Sequence, residues 1–304
     1  MVEVSIIVLT KNGRHDLERL LPTVVAQAGN VSGELIAVDS GSNDGTLELL
    51  QRFPVRIMQI PPEDFHHART RNFAARLTQG QTLVLLSQDA IPASENWLES
   101  MIANFDDPQV GAVYGRQLPK PCSSLERRHA LDAVYGEERL VKDPAHRNGL
   151  GYRFYHFSDA NAAIRRSVWE KTQFPEDLKV FEDLGIAKRI LDRGWKIVYE
   201  PQAAVIHSHD HSTLELLKRY FDIGYTLKLL NIWDVPGTRR SLLRDAFKML
   251  KGKLRHSRSG SPALSAREVL QQDFAKSLGM FLGLNQSCLP LALKRRLSAF
   301  RVFG

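Results

Sequence analysis

An α/β fold, with a mainly parallel central sheet carrying helices on both faces and a C-terminal helical region after it, is what this 304-residue sequence predicts. Three observations carry that expectation. Up to residue 118, short apolar runs alternate with segments of helical spacing. The runs are nearly continuous in Val, Ile and Leu, as strands buried on both faces require. After Pro236 the strand signals stop and a helical, basic sequence takes over.

The elements follow in order. "VSIIVLT" (4–10) reads as the first strand and "HDLERLLPTVVAQA" (15–28) as the first helix. "ELIAVDS" (34–40) is a second strand, and "GSNDGTLELLQRF" turns into a helix with Ser42 or Asp44 as its N-cap. "VRIMQI" (55–60), a helix over 68–79 and "TLVLLS" (82–87) continue the alternation. A helix over 94–105 and the strand "VGAVYGRQL" (110–118) complete it. From about 120 to 160 the pattern fades among Pro119, Pro121, Pro144, Gly149 and Gly151. This stretch is expected to be irregular and to cover a substrate. A helix over 183–193, strands over 196–201 and 203–209, and a helix over 212–232 come next. A break at 256–262 precedes a last helix over 266–283. The expected division is one domain over 1–232 and a basic helical region over 233–304.

Bulk properties narrow the function. No apolar run reaches the roughly 18 residues that span a bilayer. The first residues carry Glu3 and no basic leader, so they read as a strand rather than a signal peptide. Cys122 and Cys288 lie far apart and match no metal spacing, which fits a reduced, cytoplasmic setting. The net charge of +7 is local: eight Lys/Arg stand against the single acid Asp245 between Pro236 and Arg258. With leucines at helical spacing among them, these residues read either as a face for the anionic inner surface of a membrane or as a solvated face packed on the domain. Nucleic acid is disfavoured, because no aromatic stacking series accompanies the charge.

Parallel sheets bind ligands beyond the carboxyl ends of their strands. Thr10, Asp39 and the run Ser87, Gln88, Asp89 fall at such ends. No G-x-G-x-x-G or G-x-x-x-x-G-K-[ST] is present, which counts against dinucleotide and P-loop readings. Asp39 offers only acceptors, which suits the imide N–H of uracil or thymine; it reads equally as a turn aspartate. Thr10 flanks the same place. Arg71 carries a guanidinium fork suited to a diphosphate, whereas Arg69 reads as surface. A lone carboxylate such as Asp89 holds a metal, acts as a base or caps the next helix. His207, His209 and His211 alternate, so on a strand they would share one face and clamp a metal. Glu182 and Asp183 open a helix, where acids are stabilising without any further role.

Taken together, "VSIIVLTKNG", "LIAVDSGSNDGT", "ARTRNFAA", "LLSQDA" and "FEDLGIAKRIL" resemble family-2 glycosyltransferases of the GT-A fold, over roughly residues 2–230. "DFHHARTRN" followed by "SQDAIP" is most similar to the bacterial rhamnosyltransferase branch. The resemblance implies an inverting transfer from a nucleotide-diphosphate sugar, a dTDP- or UDP-sugar, to a saccharide or lipid-linked acceptor. It implies Asp183 as the base and Thr10, Asp39, Arg71 and Gln88 on the donor. It further implies Mg²⁺ or Mn²⁺ at Asp89 and His207, with Asp159, Asn161 and Glu182 toward the acceptor. Ser87 stands where the family's metal motif has its first carboxylate. Two rivals accompany this reading: a sugar nucleotidyltransferase, and a non-catalytic sugar-binding protein on the same fold.

Overall fold

The computed structural model describes residues 2–147, 150–234 and 266–303. Strands and helices alternate through β1 (Val4–Thr10), α1 (Arg14–Gly29), β2 (Gly33–Asp39), α2 (Thr46–Leu50), β3 (Arg56–Gln59), α3 (His67–Leu77) and β4 (Thr82–Ser87). They continue through β5 (Ile91–Pro92), α4 (Trp97–Ile102), β6 (Val110–Leu118), α5 (Leu125–Val134) and β7 (Leu140–Lys142). Then come β8 (Asn161–Arg165), α6 (Arg166–Thr172), α7 (Glu182–Asp192), β9 (Lys196–Ile206) and α8 (Thr213–Leu229). The chain closes with α9 (Ala266–Leu284) and α10 (Leu291–Leu297). The basic stretch 236–258 and the expected break at 256–262 lie outside the described residues.

Among the described residues nine strands form one sheet, in the order β3-β2-β1-β4-β8-β6-β9-β5, with β7 on β9. Successive side chains on a strand point to opposite faces, so each buried strand feeds two cores. Ile7, Ile36, Val38, Leu83 and Leu85 pack with Ala68, Trp169, Leu184 and Ile190 on one face. Ile6, Val8, Leu35, Ala37, Val84 and Leu86 pack with Leu17, Leu20, Leu50 and Trp97 on the other. Helices therefore cover both faces, as expected.

The sheet is mixed rather than mainly parallel. β1, β2, β3 and β4 are parallel neighbours. β8 then runs antiparallel to both β4 and β6, and β6 pairs parallel with β9. The expected irregular stretch 120–160 contains α5 and β7. The two strands expected around Pro201 are the single strand β9. The N-cap of α2 is Gly45, not Ser42 or Asp44, although Asp44 Oδ1 accepts the Thr46 N–H at 3.1 Å.

α8 and α9 lie with their backbones almost touching. A Cβ on Gly279 would stand 2.2 Å from the Leu217 carbonyl oxygen, and one on Gly283 2.0 Å from that of Phe221. Only glycine permits so close a seam. It fastens the C-terminal helices to the element that follows β9.

Candidate active site

Sheet register assembles the first half of the site. β6 and β9 are parallel with Leu118 opposite Ile206, so the residues leaving both strands emerge side by side. Lys120 follows β6 and His207 and His209 follow β9; all three converge on Asp89, just beyond β4. His207 Nε2 lies 3.3 Å from Asp89 Oδ1. His209 Nε2 and Lys120 Nζ lie 3.1 and 3.2 Å from Oδ2. The Lys120 N–H donates to Ser208 Oγ at 2.9 Å and ties the two loops together.

Gln117 sets the tautomer of His207. Its amide nitrogen donates to Ser158 Oγ at 2.8 Å, which turns Oε1 to His207 Nδ1 at 3.0 Å. Nδ1 therefore carries the proton of that bond and Nε2 faces Asp89. A break in the ladder aims Gln117 there: β6 pairs Gly115 with Glu200, then Gln117 with Val205. Gly115 permits it, since a Cβ would stand 1.9 Å from the Ala203 carbonyl oxygen.

One Asp89 oxygen and an imidazole nitrogen from each of His207 and His209 lie within 4.8 Å of one another. This donor set fits a divalent cation. Burial by itself would raise the Asp89 carboxyl. Hydrogen bonds and charge from His207 and His209 outweigh that and hold it far below the usual carboxylate range.

The second half comes from α3, the loop before β8 and α7. Buried Arg71 directs Nη1 to Glu182 Oε1 at 2.6 Å and Nη2 to Asp159 Oδ1 at 3.0 Å. Its Nε lies 3.0 Å from Asp159 Oδ2, and His67 Nδ1 lies 3.4 Å from Nη1. Asp183 follows Glu182 in the first turn of α7 and accepts the Leu184 N–H at 2.7 Å. Burial, then Asp159 and Glu182, push the Asp183 carboxyl well above its ordinary value. Burial likewise pushes Asp159 up to about 6 despite Arg71. Burial and the adjacent guanidinium depress His67 to about 4, so the imidazole is neutral near pH 7. Arg71 gains more from its carboxylates than burial removes, and it stays charged. α7 begins at Phe181, whose φ of 56° and ψ of 37° are left-handed. Such a backbone is costly for an aromatic residue and concentrates at functional sites.

Several expected contacts take another form. Arg71, expected on the diphosphate, has its fork bound to Asp159 and Glu182, because three carboxylates gather where one cation must balance them. Asp159 and Glu182, expected to touch the acceptor, are buried and held by Arg71. Asn161 is fully buried: it accepts from Trp97 Nε1 at 2.9 Å and donates to the Ala203 carbonyl at 2.8 Å. It joins strands and meets no solvent. Thr10 and Gln88 do meet, with Thr10 Oγ1 donating to Gln88 Oε1 at 2.7 Å. Buried Asp39 accepts the Gly41 and Ser42 N–H groups at 3.0 Å each, so it closes its own turn. Arg69 lies at the surface, 3.9 Å from Glu176. β9 ends at Ile206, so the three histidines share no strand face; His207 and His209 alone reach Asp89.

Lys120 joins Asp89 through strand register, which spacing does not reveal, whereas the His66–His67 pair ahead of Arg71 already suggested a pocket lining. A cavity of about 1650 Å³ opens beside Tyr152, walled by Tyr114, Tyr199, His156, Tyr220 and Trp233. Among the described residues no helix is long and apolar enough to cross a membrane.

Known proteins resemble this chain in sequence and in fold. The chain is 34% identical to the O-antigen chain rhamnosyltransferase WbaN of Salmonella anatum, over 90% of this chain and 87% of that protein. It is 33% identical to RfbN of Salmonella typhimurium, covering 89% and 86%. A mannosyltransferase of Pyrobaculum calidifontis, solved with GDP-Man and Mn²⁺, superposes with a TM-score of 0.59 at 17% identity, covering 94% of this chain and 86% of that one. TarS of S. aureus, residues 1–349 with UDP-GlcNAc, gives 0.58 at 15%, covering 99% and 88%. These last two are likenesses of fold. The model for "Glycosyl transferase family 2" matches residues 5–172, more than half of the sequence, and so the chain belongs to that family and is a glycosyltransferase.

Proposed function

We propose that this enzyme moves L-rhamnose from dTDP-L-rhamnose, with inversion, to a hydroxyl of a saccharide or lipid-linked saccharide in cell-surface polysaccharide synthesis. The observation that carries this reading is the 34% identity to an O-antigen rhamnosyltransferase along 90% of the chain. Asp183 is the base. Of the three carboxylates it is the one that Arg71 does not hold by a direct hydrogen bond or ion pair, and its raised affinity for a proton suits general-base work. It takes the acceptor hydroxyl's proton as that oxygen bonds to the anomeric carbon and the bond to the diphosphate breaks. Thr10, Gln88 and Asp39 position the nucleotide at the ends of β1, β4 and β2.

Asp89, His207 and His209 would hold the cation, and two imidazoles favour Mn²⁺ over Mg²⁺, which prefers oxygen. When bound, it neutralises charge building on the leaving diphosphate. Lys120 adds a second positive charge at the same edge. The tyrosine-lined cavity receives the acceptor, its aromatic rings suiting sugar faces and apolar chains. In this reading residues 1–232 form the catalytic domain. The C-terminal region meets the anionic inner face of the plasma membrane through α10, where exposed Leu291 and Leu293 stand among Lys294, Arg295 and Arg296.

The test is release of nucleoside diphosphate from a panel of donors, with an acceptor and Mn²⁺. Turnover of dTDP-L-rhamnose above UDP-GlcNAc and GDP-mannose is expected. Preference for either of those two would overturn the donor assignment.

A further inference from the structure

The last residues of the chain cross back over α8 and reach the start of α7. Asp222, fully buried in α8, accepts the Ala299 N–H at 2.8 Å and the Phe300 N–H at 3.1 Å on one carboxylate oxygen. A buried carboxylate oxygen that accepts two backbone N–H groups is an anchor for the segment that donates them. Beyond it Phe303 packs on Phe221 and Tyr225, with centroids 5.9 and 4.9 Å apart. Phe300 meets Phe181 edge-on, 6.1 Å between centroids at 83°. The Arg219 guanidinium lies 5.3 Å from the centroid of Phe300. Phe181 is the left-handed residue from which α7 starts, two positions before Asp183.

A left-handed aromatic residue persists only where its surroundings hold it. Phe181 packs on the core from one side, and Phe300 meets its ring. We propose that Phe300 is a positioning residue for the general base: its ring keeps Phe181 in the left-handed turn that aims Asp183, and Asp222 fastens Phe300 in place. The proposal rests on Asp183 being the base. It joins residues far apart in sequence into one device. α8, which carries the anchor, also starts just after His207 and His209, so the tail touches elements from both halves of the site.

The experiment compares Phe300→Ala, Phe300→Leu and Asp222→Ala with the full-length wild type, in the presence of Mn²⁺ and donor. Phe300 is 39% exposed, so its replacement leaves the core filled. A misplaced catalytic group loses rate rather than donor affinity. Phe300→Ala and Asp222→Ala are each expected to lower kcat by about tenfold to a hundredfold, with the donor KM within about twofold of wild type. Phe300→Leu, which restores an apolar wall, should recover most of the rate. A Phe300→Ala enzyme with lowered melting temperature but wild-type kcat would show that the tail only stabilises, and the proposal would fall. Asp183→Asn, assayed alongside, separates the two ideas. Full activity there removes the base assignment and this proposal with it. An inactive Asp183→Asn beside an unaffected Phe300→Ala removes the proposal alone.

Discussion

The two halves of the site solve opposite electrostatic problems. Around Asp89 a single carboxylate faces His207, His209 and Lys120. Around Arg71 a single guanidinium faces Asp159 and Glu182, with Asp183 beside them. In the first group positive neighbours keep the acid ionised. In the second, burial and crowding make Asp159 and Asp183 hold protons more tightly. One sheet edge thereby offers a place for negative charge to collect and, apart from it, a place for a proton to go. Transfer from a diphosphate leaving group to a hydroxyl needs both. Mixing the two sets would cancel them, which is why they stand on different elements.

The sharpest break of this comparison is at Asp183. Asp183→Asn should lower kcat by about 10² to 10⁴-fold, with donor binding in a thermal-shift titration unchanged. Wild-type turnover would show that the acid-rich half is not the proton acceptor.

A smaller effect lies in the stability of the acid cluster. Asp159 titrates at about 6 in the folded chain against an ordinary 3.8, so the native state binds its proton more tightly than the unfolded state does. Its contribution to stability is full below about pH 4 and is lost as the pH rises through 6, on the order of 3 kcal/mol. Urea midpoints of wild type should therefore fall relative to Asp159→Asn between these pH values. Parallel curves would mean that Arg71 neutralises the cluster completely.

The mildest change sharpens the metal half. Gln117→Leu removes the acceptor that fixes His207, and should weaken Mn²⁺ binding about 10 to 100-fold in a direct metal titration. Unaltered affinity would mean that His209 and Asp89 alone set the site.

How much of this was legible in the sequence depends on where burial comes from. β1, β2, β4 and β6 were readable within about a residue, because runs such as "VSIIVLT" are apolar along their length. β8 was not, since "NAAIR" has little strand character of its own and is buried by lying between β4 and β6. Asp89 and His207, which the structure brings together, were singled out through a motif that reports chain order. Lys120 was missed because its place depends on Leu118 lying opposite Ile206, a pairing no local pattern encodes. The partners of Arg71 were hidden for a related reason. Its fork was legible, but the carboxylates that occupy it come from residues 159 and 182, and burial decides which partner wins.

Pro201 marks a corner with a wider meaning. It lies in β9 where the pairing with β6 jumps from Glu200 to Val205, so a proline without an N–H sits where the ladder has no use for one. That irregularity turns Gln117 toward His207. Were residues 201–204 trimmed until the two strands paired evenly, the sheet would gain hydrogen bonds, and the offset that sets Gln117 opposite Val205, two residues before His207, would be lost. Robustness and activity would then part at a single corner. A protein engineer smoothing this sheet would produce a hardier molecule in which Gln117 no longer holds His207 toward Asp89.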